Sequence, residues 1–249
     1  MSDNNNLIFY DTETTGLHKD FSQILQCGSV LTNSSFNTKT EQDIGCAPLP
    51  WVITHPKAML TNKKTNLLNS NVSHYEMILD LQRMWKQWTL NNPGIFISYN
   101  GHAFDEELVR RQFFWNLLEP YTTNTNGNGR LDLMLMMHNV VCFFPEAINI
   151  PLFEDGPKIS LKLEDIARAN NISADSAHDA IADCNLMIDV TRKINSAIPD
   201  VFNSFLNIST KPGAQNLLKT EGFLALGEVF RRQMFRYPVV FCGSDPSRP

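Results

Sequence analysis

Two carboxylates lie two positions apart near the N-terminus, in the hexapeptide DTETTG (11–16). The apolar run before them, 7–10, predicts a buried strand, and side chains alternate between the two faces of a strand, so Asp11 and Glu13 point the same way. Carboxylates about 6–7 Å apart repel each other unless a cation lies between them. Mg²⁺ and Mn²⁺ prefer such oxygen-only ligands. The pair indicates either a divalent-metal site or a solvated acidic loop.

A histidine and an aspartate recur close together in AHDAIAD (177–183). A helix that begins near Asp179 places Asp183 one turn in, directed toward the sheet, and leaves His178 in the loop before it. Histidine has a pKa near neutrality and can take a proton from water at physiological pH. Taken alone, a histidine before a helix is more often structural or simply exposed.

A third carboxylate follows another buried strand, in SYNGHAFD (98–105). Asp105 is predicted to lie near a helix N-terminus. By itself, this position favours an interaction with the helix dipole over a catalytic role. The next two residues, Glu106 and Glu107, are predicted to be solvated.

The order of these three segments resembles that of the DEDDh class of 3′→5′ exonucleases, whose members share a ribonuclease H-like sheet. Within that class the chain is most similar to the exonuclease I family, bacterial enzymes that degrade single-stranded DNA. With DTETTG, the similarity covers most of residues 7–195. The other similar segments are YNGHAFDEELVRRQFFWNLLEPY (99–121), GRLDLMLMM (129–137), SLKLEDIARANNI (160–172) and AHDAIADCNLMI (177–188).

The resemblance implies a catalytic site with two divalent ions, Mg²⁺ or Mn²⁺, and a general base for the attacking water. The implied reaction is 3′→5′ hydrolysis of single-stranded DNA to nucleoside 5′-monophosphates. The metal ligands would be Asp11, Glu13, Asp105 and Asp183, with Asp105 acting directly or through a water, and His178 would be the base.

The resemblance also implies residues that bind the substrate. Lys162 aligns with a basic position that contacts the substrate phosphate and is usually arginine in the family. Lysine supplies the charge but not the two-pronged hydrogen bonding. The residues expected to line a terminal-nucleotide pocket are Thr14, Leu17, Asn100 and Phe104, for which loop or core packing is an equal alternative.

Other functions remain open at this level. One alternative is an enzyme that trims RNA 3′ ends, as the related ribonuclease T and oligoribonuclease do, and another is a proofreading subunit bound to a polymerase. A third is a non-catalytic nucleic-acid-binding module, which normally loses a metal ligand. The expected partner is the 3′ end of single-stranded DNA, with single-stranded-DNA-binding protein or other repair factors as candidate protein partners and no membrane.

The domain organisation is predicted to be an exonuclease domain over 1–200 and a helical or irregular extension over 201–249. The exonuclease I family continues beyond its nuclease domain into an SH3-like domain and a helical domain that help to enclose the DNA strand. The extension is therefore expected either to be the start of an absent accessory domain or to pack on the nuclease domain. This expectation puts high processivity in doubt.

The order of predicted strands and helices indicates a mixed α/β protein in which a five-stranded sheet is flanked by helices. This sheet must position the residues named above. The apolar patterns favour strands at 22–32, 36–46 and 95–99, and helices that begin at Ser73 and near Ala103. Further helices are expected at 160–169, 179–194 and 214–219, capped at Ser160 and Asp179. Segment 50–70 looks irregular, 121–129 reads as a surface loop, and 131–141 is apolar but of undetermined type. Three of the four tryptophans, Trp85, Trp88 and Trp115, are expected in the core.

Composition limits the classes of function. Of the 249 residues, 43% are hydrophobic and 19% charged, which permits a substantial core. No run of about 18 apolar residues and no secretory signal occur, and the five cysteines are scattered, so a reducing cytoplasm is expected. The net charge of −5 argues against a general nucleic-acid-binding protein. It is compatible with an enzyme whose carboxylates hold cations.

Overall fold

A five-stranded mixed sheet forms the centre of the protein in this computed structural model, which describes residues 6–152, 159–174, 179–243, 245 and 247. Its strands are β1 (Asn6–Thr14), β2 (Ile24–Thr32), β3 (Thr38–Gly45), β4 (Gly94–Ser98) and β5 (Gly129–Asp132). They are ordered β3-β2-β1-β4-β5, with the first three antiparallel and β1, β4 and β5 parallel. Because β1 and β4 run in the same direction, the residues that follow them meet at one edge of the sheet.

Helices cover both faces of this sheet, which confirms the predicted α/β class. In the described part of the chain they are α1 (Pro56–Asn62), α2 (His74–Trp88), α3 (Asp105–Trp115), α4 (Leu133–Phe143), α5 (Leu163–Ala169), α6 (Ala180–Ala197), α7 (Pro199–Asn207) and α8 (Lys211–Thr220). Short 3₁₀ helices occupy Thr65–Asn69 and Gly101–Ala103. A separate antiparallel hairpin follows, formed by β6 (Leu224–Phe230) and β7 (Gln233–Val239).

Strand β1 divides the core into two parts. Phe9 packs in the cluster that contains residues of α4 and α6, whereas Tyr10 packs in the cluster formed by α2 and α3. Continued along the strand, this alternation directs Asp11 and Glu13 toward α6 and directs Thr12 toward α3. The same strand thus brings carboxylates to one helix layer and a hydroxyl to the other.

Several sequence predictions are confirmed. Ser73 caps α2 in a capping box: its hydroxyl accepts from the Glu76 amide at 3.2 Å, and the Glu76 carboxylate accepts from the Ser73 amide at 2.9 Å. Asp179 caps α6 as expected. The predicted strands at 22–32, 36–46 and 95–99 correspond to β2, β3 and β4.

Two predictions of local structure are wrong. Segment 50–70 is not irregular, because it contains α1, which His55 caps and Pro56 begins, and a 3₁₀ helix. Both helices are short and lack the apolar periodicity that would reveal them. Ser160 does not cap α5, which begins only at Leu163. Its hydroxyl instead donates to the Asp165 carboxylate at 2.6 Å.

Three predictions of burial also fail. Glu106 is buried, with 5% of its surface exposed, and accepts hydrogen bonds from Tyr10 and Thr123 and an ion pair from Arg130. Trp115 is 44% exposed rather than in the core. The predicted surface loop 121–129 holds buried polar side chains that bridge neighbouring elements, namely Thr122, Thr123 and Asn128. Glu106 and the three loop side chains can be buried because fixed hydrogen-bond partners satisfy their polar groups.

The segment beyond residue 200 contacts the rest of the described chain. Phe202 and Leu206 of α7 belong to the larger core cluster, and the β6–β7 hairpin packs against α4. The predicted boundary at residue 200 stays a prediction. Among the described residues, no helix combines the length and apolar character needed to cross a membrane.

Candidate metal centre and active site

Three carboxylates converge where β1 meets the start of α6. One oxygen each of Asp11, Glu13 and Asp183 lies within 4.8 Å of the others. Asp11 and Glu13 share the α6 side of β1, and Asp183 lies in the first turn of α6. The structure thus brings together residues that are 170 positions apart in the sequence, as the sequence analysis expected.

The electrostatics of this group show strong mutual repulsion. Burial and the neighbouring Asp183 charge raise the pKa of Glu13 to about 8. Burial also raises the pKa of Asp11 well above its usual range, and the charges of Asp105 and Asp183 add to the effect. Carboxylates this crowded are stabilised in their ionised form by a cation between them.

The donor set fits hard divalent cations. It offers carboxylate oxygens alone, converging from two elements, which is the environment that Mg²⁺ and Mn²⁺ prefer. Within the described residues, these three side chains are the group that could hold such an ion.

Asp105 lies beside this group. It is held by Thr12, whose side chain points to the opposite face of β1 from Asp11 and Glu13. It is buried at the first position of α3, and its carboxylate accepts a hydrogen bond from the Thr12 hydroxyl. Burial raises the pKa of Asp105 to about 6, while the hydrogen bond from Thr12 acts in the other direction. Asp105 contributes to the raised pKa of Asp11, so its charge reaches the same site.

The predicted general base, His178, lies outside the described residues. Its neighbour Asp179 accepts from the Ala182 amide at 3.4 Å and forms an ion pair with Lys64 at 2.6 Å. Burial alone would raise the pKa of Asp179, but the hydrogen bond from Lys64 lowers it below the usual value. The start of α6 is therefore fixed by a cation from the segment before α2.

The sequence analysis missed Lys64 and Asp132. The Lys64 side chain is only 13% exposed, and its positive charge partly opposes the rise in the pKa of Glu13. It was missed because it lies in a segment that was expected to be irregular. Asp132 is buried at the end of β5 and accepts from the backbone amides of Asn100 and His102 at 2.9 and 3.1 Å. The signal for Asp132 was present, because an apolar residue precedes it in the same way as at the other carboxylates.

Two cavities open beside the carboxylates. The larger, about 720 Å³, is lined by Asp11 and Asp183 and by two of the predicted substrate residues, Asn100 and Lys162. The smaller, about 340 Å³, is lined by Glu13 and by the other three, Thr14, Leu17 and Phe104. The structure thus divides the predicted substrate residues between two adjoining spaces.

The predicted substrate residues differ in exposure. Leu17 is 82% exposed and Phe104 is partly buried. Thr14 is buried, and its hydroxyl donates to the Gly16 carbonyl at 2.8 Å. The Lys162 side chain is 70% exposed and lies 3.9 Å from Glu164. Leu17, Asn100 and Lys162 are thus the exposed members of this set and are available to a ligand.

Comparison with known proteins finds similarity to exodeoxyribonuclease I. No family model matches the chain. Exodeoxyribonuclease I of Buchnera aphidicola subsp. Baizongia pistaciae is 30% identical over 217 residues, covering 85% of this chain and 44% of that protein. The Escherichia coli exodeoxyribonuclease I is 29% identical over 202 residues, covering 79% and 41%. The chain is related to exodeoxyribonuclease I.

Solved structures of exonuclease I show the same architecture. The enzyme from Methylocaldum szegediense superposes with a TM-score of 0.80 at 28% identity, covering 92% of this chain and 49% of that one. The E. coli exonuclease I complex with a dA16 oligonucleotide gives 0.77 at 26%, covering 86% and 46%. A zinc-bound E. coli complex with single-stranded DNA gives 0.74 at 25%, covering 82% and 43%. The chain spans about half the length of the exonuclease I proteins it matches.

Proposed function

We propose that this chain is a 3′→5′ exodeoxyribonuclease that releases nucleoside 5′-monophosphates from the 3′ end of single-stranded DNA. The observation that carries the proposal is the convergence of Asp11, Glu13 and Asp183 at the junction of two cavities. The relationship to exodeoxyribonuclease I, whose E. coli member is solved with oligonucleotides, supports DNA as the substrate.

The cofactors are two Mg²⁺ or Mn²⁺ ions. Asp11, Glu13 and Asp183 would hold them, and Asp105, set beside the group by Thr12, would contribute directly or through a water. When bound, such ions polarise the scissile phosphate and stabilise the negative charge on the departing 3′ oxygen.

The protein residues act around that centre. His178, which directly precedes Asp179 in the sequence, accepts the proton of the attacking water, a role that rests on its place in AHDAIAD. The smaller cavity receives the 3′-terminal nucleotide, with Phe104 and Leu17 packing against the base and Thr14 at the sugar side. Asn100 and Lys162, in the larger cavity, contact the sugar-phosphate backbone, and Lys162 neutralises a phosphate charge.

The test is a degradation assay on three 5′-labelled substrates of one sequence: single-stranded DNA, duplex DNA and RNA. With Mg²⁺, we expect a 3′-shortened ladder and mononucleotides from single-stranded DNA, little from the duplex, and nothing when a chelator is in excess. Preferred cleavage of RNA would replace the DNA assignment with RNA 3′-end trimming. DNA binding without cleavage of any substrate would indicate the non-catalytic module.

Three substitutions sharpen this assay. Asp11→Asn should abolish cleavage. Asp80→Asn, the same chemical change at an exposed carboxylate that pairs with Arg83, should leave the rate unchanged. His178→Ala should slow turnover by about 10²–10⁴-fold while DNA binding persists. An unchanged rate in His178→Ala would remove His178 as the base.

Protein partners are a separate proposal. Single-stranded-DNA-binding protein and other repair factors remain candidates, and the cytoplasmic location stays a prediction from the sequence.

A further inference from the structure

The turn of the β6–β7 hairpin is built from two arginines. Arg231 and Arg232 connect Phe230 to Gln233, and both have positive φ angles, 49° and 67°. Two-residue hairpin turns of this kind strongly favour asparagine and glycine, because other side chains are strained there. Non-glycine residues in this conformation are often held for a functional reason.

The turn lies at the candidate active site. Arg232 lines the larger cavity together with Asp11, Asp183 and Lys162. Its carbonyl accepts a hydrogen bond from the Ile159 amide at 3.3 Å, three residues before Lys162. The turn is thus tied to the segment that carries the predicted phosphate contact.

The rest of the hairpin is docked on α4. The Gly227 amide donates to the Asn139 side-chain oxygen at 2.9 Å, and the Arg236 guanidinium donates to the Cys142 carbonyl at 2.6 Å. A side chain at Gly227 would meet Cys142 at 2.7 Å, so the close approach requires glycine. These contacts hold the hairpin in a fixed position on the helix.

Helix α4 is in turn connected to the site. Its N-cap Asp132 accepts from the Asn100 and His102 amides, in the loop that leads from β4 to Asp105. The hairpin that carries Arg232 thus contacts α4, and α4 contacts the loop before Asp105. Asn100 of that loop also lines the larger cavity.

We propose that Arg232 binds a backbone phosphate of the single-stranded substrate, on the 5′ side of the terminal nucleotide. The inference rests on the proposed function. The smaller cavity takes the terminal nucleotide, so the strand continues through the larger one, where Arg232 and Lys162 are the basic residues of the lining. A guanidinium binds phosphate through two parallel hydrogen bonds, which the lysine cannot do.

The test uses substitutions that the turn tolerates. Arg232→Gly removes the side chain at a position where glycine is favoured, and Arg231→Gly is its matched control, because Arg231 stacks over the Phe230 ring and does not line the cavity. Arg232→Lys keeps the positive charge but loses the two parallel hydrogen bonds that a guanidinium group makes to a phosphate. The probes are a (dT)20 oligonucleotide and the p-nitrophenyl ester of thymidine 5′-monophosphate, which has a scissile phosphate but no further one.

We expect Arg232→Gly to lower kcat/KM on (dT)20 at least tenfold, mainly through KM, and on the ester by threefold at most. Binding of (dT)20 in Ca²⁺, followed by fluorescence anisotropy, should show a salt slope smaller by about 0.7, the value for one lost phosphate contact on a single strand. Arg232→Lys should recover that slope but only part of the affinity. Arg231→Gly should match the unsubstituted protein.

Three results would overturn the proposal. These are an unchanged salt slope in Arg232→Gly, equal losses on the oligonucleotide and the ester, or an equal loss in Arg231→Gly. Failure of the proposed function gives a different result: the unsubstituted protein would hydrolyse neither probe with Mg²⁺. The binding measurement would still test Arg232 in that case. Absence of (dT)20 binding by the unsubstituted protein would remove both.

Discussion

Gly28 of β2 lies directly beneath Ala180, the first residue of α6. A β-carbon at Gly28 would lie 2.5 Å from the Ala180 carbonyl carbon and 2.7 Å from its oxygen, closer than non-bonded atoms approach. Gly28 is also the register partner of Asp11 across β1 and β2. The missing side chain therefore lets α6 approach the sheet, which brings Asp183 within reach of Asp11.

Gly28→Ala is expected to push the start of α6 away from the sheet. Overpacking of this kind typically costs about 1–3 kcal/mol of stability. The metal-dependent activity should fall at least tenfold, because a displacement of about 1 Å at a catalytic group has effects of that size. Thermal unfolding measures the loss of stability, and initial rates over a Mn²⁺ titration measure the loss of metal-dependent activity.

The control for this substitution is Gly222→Ala, where a β-carbon would have no neighbour within 4 Å. It should change neither metal affinity nor rate. Full activity in Gly28→Ala would show that the close approach does not determine the geometry of the site.

Without metal, the protein is expected to lose stability as the pH rises from about 4.5 to 8. The pKa of Glu13 is raised from 4.5 to about 8 in the folded state. An acid with a raised folded pKa contributes stability that is present below its unfolded pKa and is lost as the pH rises through the folded value. The melting temperature should fall by about 5 °C or more over this window, and millimolar Mg²⁺ should reverse the fall.

Glu13→Gln identifies the group responsible for that pH dependence. The amide has no charge to bury, so the melting temperature of the metal-free variant should fall less across the same window and gain less from Mg²⁺. Asp11 and Asp105, whose pKa values are also raised, keep the remaining part of the fall. The same pH slope in Glu13→Gln and in the unsubstituted protein would assign the effect to other groups.

Thr12→Val tests whether Asp105 depends on its hydroxyl partner. Loss of the Thr12 hydrogen bond removes a contact that favours the charged carboxylate, so the pKa of Asp105 should rise above its present value of about 6. We expect kcat/KM at pH 7 to fall by about tenfold, which corresponds to one lost charge-assisted hydrogen bond. Thr12→Ser, which keeps the hydroxyl, should retain most of the activity, and equal losses in both variants would point to packing instead.

Lys64→Met tests the ion pair that fixes the start of α6. The pair joins a largely buried lysine to the helix-capping Asp179, so its loss should destabilise the fold by about 1–2 kcal/mol and lower the rate severalfold. Chemical denaturation and initial rates provide the measurements. Lys63→Met, at the exposed neighbouring residue, should be neutral in both, and a neutral Lys64→Met would show that Asp179 holds the helix unaided.

Local sequence patterns predicted those features of the structure that depend on a single short segment. The apolar run before Asp11 predicts a strand, and its alternation predicts that Asp11 and Glu13 share a face, as the structure has them. The caps at Ser73 and Asp179 were likewise readable, because capping depends on residues within one helical turn.

Contacts between distant segments were not readable in this way. Glu106 was expected in solvent because it lies on a helix between two other acidic residues. Its partners are instead Tyr10, Thr123 and Arg130 from other parts of the chain. Lys64 was hidden for the same reason, since its meaning depends on Asp179, 115 positions away. Burial of a polar group is decided by partners that a local pattern does not contain.

The sequence alone determined the types of the candidate residues, their order along the chain and, for Asp11, Glu13, Asp105 and Asp183, the strand or helix that presents each. Only the tertiary structure decided which of them meet. It placed Asp11, Glu13 and Asp183 within 4.8 Å, set Asp105 beside them on the opposite face, and brought Arg232 from the C-terminal hairpin into the same cavity. The physical reason is that secondary structure follows from short-range backbone and side-chain preferences, whereas convergence of charged groups requires the packing of the whole core.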